Sequence, residues 1–148
     1  MRIIALFAAL PLLAGCGQKP GAAGIDPQDA AKVARGQAVY AASCAVCHGE
    51  NLESQPNWRS RKQEGSMQAP PQEEAAHTWH HPDEILFGLT KEGLVPGKYG
   101  PPGYVSDMPA FRGALSDEDI AAALSFIQSR WSPEVRRARE EMLRNRNR

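Results

Sequence analysis

Cys44-Ala45-Val46-Cys47-His48 decides the reading of this chain of 148 residues. Two cysteines three positions apart, with a histidine directly after the second, form the attachment sequence for a c-type haem. Each thiol adds across one haem vinyl group to give a thioether, and the histidine reaches the iron from one face of the ring. On one helical turn the two sulfurs match the vinyl spacing, and the next residue projects under the metal. Two other chemistries use a cysteine pair. A redox dithiol opens a helix after a strand, and no strand pattern precedes this pair. A zinc site needs two more Cys or His ligands at matching spacing, and the chain has no second Cys pair.

Working outward to the N-terminus, Arg2 is a short basic start and Ile3 to Leu13 is an almost unbroken apolar run. A permanent membrane helix needs about 20 apolar residues, so the run suits a secretory signal peptide over residues 1–15 instead. It ends in Leu13-Ala14-Gly15-Cys16, which resembles the lipobox of bacterial lipoproteins, in which the cysteine is lipidated and becomes the new N-terminus. With Cys16 lipidated and Cys44 and Cys47 on the haem, none of the three cysteines remains for a disulfide. Gly17 to Ile25 is rich in Gly and Ala and lacks periodicity, so residues 16–25 are expected to be a lipid-attached tether with a reach of about 18 Å. The formal net charge is zero, which gives no reason to expect nucleic acid as a partner. The expected location is outside the cytoplasmic membrane, in the periplasm or at the cell exterior, anchored by lipid.

A first helix is expected from Asp26 as N-cap, with Pro27 in the first helical position and Asp29 in the first turn. It runs through Val33, Gly36 and Tyr40, which share a face, towards Ser43. Residues 49–76 are polar, and Pro56, Pro70 and Pro71 exclude a long regular element there. A second helix is expected from Pro82 to about Glu92, with Ile85, Leu86 and Leu89 as its apolar stripe and Gly93 as its stop. Residues 94–110 read as a Gly/Pro-rich loop. The third helix opens on Ser116-Asp117-Glu118-Asp119, a capping-box-like start. Ile120, Ala123, Leu124, Ile127 and Trp131 then fall on one face. Ser132-Pro133 interrupts it. Residues 133–148 read as a further helix or frayed tail, with six arginines against three glutamates. Arg136/Glu140 and Glu140/Arg144 are four apart, which suits a solvated helix with local ion pairs. The alternative is attraction to anionic lipid or an acidic partner.

Three helices, long loops and a haem-attachment sequence after the first helix resemble the class I cytochrome c family, over roughly Pro27 to Trp131. The resemblance implies an all-α fold of about three main helices with long loops around one covalent haem c, with residues 26–132 as its domain. It implies that Gly36 and Tyr40 on the first helix meet Phe126 and Trp131 near the last. It also implies a monomeric electron carrier rather than an enzyme, exchanging electrons with respiratory or other exported redox proteins.

His48 leaves the opposite face of the iron to a second ligand. Met108, Met67 and the histidines His77, His80 and His81 are candidates, whereas Met142 lies in the charged tail. The resemblance selects Met108 of Ser106-Asp107-Met108-Pro109, because class I cytochromes place a methionine in the loop before the last helix, commonly followed by proline. A thioether ligand raises the reduction potential. The family also uses a proline carbonyl to accept the far nitrogen of the haem histidine; Pro70 and Pro71 both qualify. The segment His77 to His81 has two readings besides iron ligation. It lies at the haem edge, where Trp79 and His80 are candidate propionate donors, or its histidines take copper or zinc at i, i+3 and i+4. Two other functions therefore compete with electron transfer. One is a gas or peroxide sensor or enzyme with a labile sixth ligand, and the other is a copper-handling protein.

Overall fold

The structure, a computed structural model, describes residues 24–146. The expected signal peptide, the Cys16 lipidation site and the expected tether up to residue 23 lie outside the described residues. Five α-helices and one 3₁₀ turn make up the regular structure among them: α1 (Ala30–Ser43), α2 (Ala45–His48), the 3₁₀ turn (Thr78–His80), α3 (Asp83–Glu92), α4 (Asp117–Ser129) and α5 (Pro133–Arg146). The fold is all-α, and extended contacts among the described residues are isolated bridges between loops. No described helix is long and apolar enough to cross a membrane.

α1 starts one turn later than expected. Asp29, not Asp26, is its N-cap, and the Asp29 carboxylate accepts from the Lys32 N–H at 3.0 Å. Asp26 serves a longer connection, its N–H donating to Ser125 Oγ on α4 at 2.9 Å. Ile25, expected at the end of the tether, is instead a core residue at 2% exposure. The Lys32 ammonium holds the Gly24 carbonyl at 2.6 Å, which fixes Gly24 against α1.

α1 and α4 cross at the closest approach in the fold. A Cβ on Gly36 would lie 2.5 Å from the carbonyl carbon of Ala122 and closer still to its oxygen. Only a residue without a side chain allows that contact. Beside it Tyr40 and Phe126 pack with ring centroids 5.3 Å apart. Ser116 caps α4 as expected, its hydroxyl accepting from the Asp119 N–H at 3.1 Å and donating to the Asp119 carboxylate at 2.8 Å. Trp131 falls just beyond the last residue of α4 but is 1% exposed, with its indole N–H on the Gln72 carbonyl at 2.9 Å. That bond ties the long loop after α2 to the end of α4.

The C-terminal segment is a docked helix and not a frayed tail. Arg139 is 7% exposed and bonds Asp83 at the start of α3 and the His81 carbonyl, both at 2.7 Å. Arg136 makes no pair with Glu140; its guanidinium donates to the Trp131 carbonyl at 2.6 Å and so covers the end of α4. Glu140 and Arg144 do approach, at 3.8 Å.

Candidate haem site

The attachment sequence sits where α1 breaks. Cys44 still donates its N–H to the Tyr40 carbonyl at 2.8 Å as the C-cap of α1. The chain then turns once more, with the His48 N–H on the Cys44 carbonyl at 2.9 Å. Gly49, at φ 79°, ends this turn in a region that few other residues adopt. Tyr40 Oη donates to the Gly49 carbonyl at 2.8 Å, so a core side chain fixes the exit. Burial, then the neighbouring Cys44 and Glu53, pushes the Tyr40 phenol far above its ordinary range. It stays a neutral donor at any working pH.

Cys44, Cys47 and His48 thus share one helical turn. Neither cysteine is in a disulfide; Cys44 is half-buried and Cys47 exposed. Burial, with a smaller contribution from Cys47, pushes the Cys44 thiol up to about 11. Val46, between them, points outward at 83% exposure.

His48 is buried and oriented. Its Nδ1 lies 2.8 Å from the Pro70 carbonyl, which assigns the accepting role to Pro70 and not Pro71. A carbonyl can only accept, so Nδ1 carries the proton and the lone pair is on Nε2. Burial lowers the His48 pKa, only partly offset by the bond to Pro70, and keeps the ring neutral at pH 7. Pro70 is itself held by its neighbours. The Gln72 N–H donates to the Leu52 carbonyl at 2.9 Å, and the Ser54 N–H to the His48 carbonyl at 2.9 Å. Two thiols without a disulfide partner and a neutral imidazole with its metal-facing nitrogen available are the donor set that haem c requires.

Met108 is half-buried, and its N–H donates to Ser106 Oγ at 3.1 Å. Downstream, Phe111 and Arg112 donate their N–H groups to the Thr90 and Lys91 carbonyls at 3.2 and 2.9 Å, fastening the loop to the end of α3. Met67 is brought alongside this loop, bridged to Ser106. Asp107, next to Met108, receives Lys62 at 2.6 Å and Ser66 at 3.1 Å, and these two partners hold its carboxyl below the usual range. No sequence signal marked Lys62, Ser66 or Asp107, because partners 41 and 45 positions apart leave no local pattern.

The segment His77 to His81 packs against its own loop and α5. The Trp79 indole N–H donates to the Glu74 carbonyl at 3.1 Å, and its ring lies 3.7 Å from that of His80. The donor expected to face a propionate is therefore engaged within its own loop, and His80 is exposed against Trp79. His77 and His81 meet edge to face at 5.3 Å. Among the described residues no group of three or more His, Cys, Asp or Glu side chains is arranged to hold a metal ion.

The family model for cytochrome c matches residues 33–131, a span that includes the attachment turn, the Met108 loop and α4. No curated protein and no solved structure matches the chain. Haem-based electron transfer is the activity of that family, and one covalent haem c is its cofactor, which the Cys44, Cys47 and His48 turn fits. On a match over most of its length and a haem-attachment turn of the required chemistry, the chain belongs to the cytochrome c family.

Proposed function

We propose that this chain is a mono-haem electron carrier with His/Met iron ligation, exported and tethered to a bacterial membrane through lipid on Cys16. The observation that carries the ligand reading is the bond from His48 Nδ1 to the Pro70 carbonyl at 2.8 Å, which leaves Nε2 for the iron. Cys44 and Cys47 would hold the haem covalently, with His48 and Met108 as the residues that would bind its iron. When bound, the haem supplies a one-electron ferric/ferrous couple.

The protein's part is to keep the ligand geometry the same in both oxidation states. Pro70 fixes the imidazole plane and raises its basicity. Ser106, Phe111 and Arg112 fasten the two sides of the Met108 loop, and Pro109 restricts its backbone. A sixth position filled by the protein's own sulfur leaves no place for a substrate, which favours a carrier over an enzyme. Cytochrome c domains are usually exported, which agrees with the signal sequence and lipobox read in residues 1–16. Redox partners outside the cytoplasmic membrane are met through small, short-lived contacts.

The test is a redox-titrated visible spectrum of the haem-loaded protein. The ferric form is expected to show the sulfur-to-iron charge-transfer band and Met108→Ala to lose it; a band that survives in Met108→Ala assigns the sixth ligand elsewhere. Detergent-phase partitioning of the exported protein, compared with Cys16→Ser, tests the anchor.

A further inference from the structure

Residues 61–67 read as featureless polar sequence, yet they grip the chain just ahead of Met108. The segment closes on itself. The Lys62 N–H donates to the Ser66 carbonyl and the Gly65 N–H to the Lys62 carbonyl, each at 2.9 Å. Arg61 Nη1 adds a bond to the Gly65 carbonyl at 2.8 Å. This tight turn sets Arg61 opposite Met67 in an antiparallel bridge and Met67 beside Ser106 in a parallel one. The Met67 N–H donates to the Val105 carbonyl at 3.2 Å. Two side chains from the turn then converge on one oxygen of Asp107: Lys62 Nζ at 2.6 Å and Ser66 Oγ at 3.1 Å. Ser66 is 1% exposed, and its one hydroxyl proton is shared between Asp107 and the Glu64 carboxylate at 3.2 Å.

Met108 therefore hangs between two anchor points. Behind it the turn holds Val105 and Asp107; ahead of it α3 holds Phe111 and Arg112. A sulfur bound to iron competes with any outside ligand, and the competition depends on how far the loop swings when the sulfur lets go. Removing the rear anchor lengthens the free segment by a few residues. Loop entropy grows only slowly with length, so the sulfur is expected to be weakened and not lost.

We propose that the 61–67 turn is a clamp on the axial-ligand loop, with Lys62 and Ser66 as positioning residues that act through Asp107 to keep the sixth position closed to outside ligands. The proposal rests on Met108 being that ligand.

Imidazole titration of the ferric, haem-loaded full-length protein tests it, read as loss of the thioether charge-transfer band. The Lys62→Ala/Ser66→Ala double variant is expected to bind imidazole about fivefold more tightly than wild type, the scale of one partly exposed ion pair plus one hydrogen bond. Lys62→Arg keeps the cation and is expected to stay near wild type. Raised salt is expected to shift wild type towards Lys62→Ala, since the pair is open to solvent. Lys62 is on the surface and Ser66→Ala removes one oxygen, so both variants are expected to load haem. Wild-type imidazole affinity in the double variant overturns the clamp. Met108→Ala separates the two failures. If it keeps the band, the ligand assignment falls and the clamp with it; if it loses the band while the double variant is unchanged, only the clamp falls.

Discussion

The α1–α4 crossing and the seat of α5 hold the same domain by opposite means. The crossing is a backbone contact, with Gly36 against the Ala122 carbonyl and Tyr40 against Phe126. The α5 seat is built from charge: Arg139 reaches Asp83 and the His81 carbonyl, Arg136 the Trp131 carbonyl, and Arg146 the His80 carbonyl. The Gly36 contact has little tolerance for added volume, and a partly exposed ion pair, Arg35 with Asp119 at 2.8 Å, also joins the two helices. Charged contact tolerates shape changes better, and responds to pH and to the loss of a single partner. The first region positions the haem-attachment turn, which follows α1 directly. The second braces the loop of histidines and the start of α3.

The largest expected effect is at the crossing. Gly36→Ala places a methyl group inside van der Waals contact of a helix backbone, where no rotamer relieves it. The two helices must separate, at a cost of about 3 kcal/mol, the upper part of the usual range for overpacking. Thermal unfolding followed by far-UV circular dichroism is expected to show a melting temperature lower by about 10 °C. A change below about 1 kcal/mol would mean that the crossing has more slack than its geometry shows.

Arg139→Ala comes next. The pair with Asp83 is largely out of solvent, with side chains 9% and 14% exposed. Removing one member of such a pair costs about 3–5 kcal/mol when the surroundings cannot relax. Here α5 is terminal and can detach, which limits the loss to its own docking energy, about 2 kcal/mol. Hydrogen exchange is expected to lose protection in α5 and the 3₁₀ turn and to keep it in α1 and α4. Uniform loss across all four would show that α5 belongs to the same cooperative unit as the crossing.

What the sequence made legible tracks how local each determinant is. The Cys44 to His48 turn, the Ser116 cap and the start of α3 near Pro82 are each settled by neighbours within four residues, and the fold follows the expected order. Asp26 offered a convincing cap, but its N–H goes to Ser125, 99 residues away, and Asp29 takes the role. Charge spacing in residues 133–148 suggested a helix or frayed tail with a Glu140/Arg144 pair but could not show Arg139 turned inward, because its partner lies 56 positions away. The family resemblance narrowed the proline facing His48 to two, and only the loop's anchoring through Leu52 and Trp131 separates Pro70 from Pro71. The bond of the Trp79 indole to the Glu74 carbonyl, five residues away, likewise left no mark in the sequence pattern.

The smallest expected effect is a pH response confined to the α5 side. Burial, and then the neighbouring His77, Arg146, His80 and Arg139, lower the His81 pKa below its ordinary 6.5. Arg139 is itself neutralised by Asp83. The unfolded chain therefore binds a proton at His81 more readily than the folded one. Its contribution to stability is complete above pH 6.5 and is lost as the pH falls through the lowered folded value. His81→Gln removes the titration and leaves the backbone carbonyl that Arg139 uses. Between about pH 7 and about pH 5.5 the wild-type melting temperature is expected to fall more than that of His81→Gln. Arg139→Ala in the His81→Gln background sharpens the contrast. If α5 alone carries the pH response, that double variant retains the melting temperature of Arg139→Ala at both pH values. A response equal in wild type and His81→Gln would place the titrating group elsewhere, and the seat of α5 would then carry no pH response through His81.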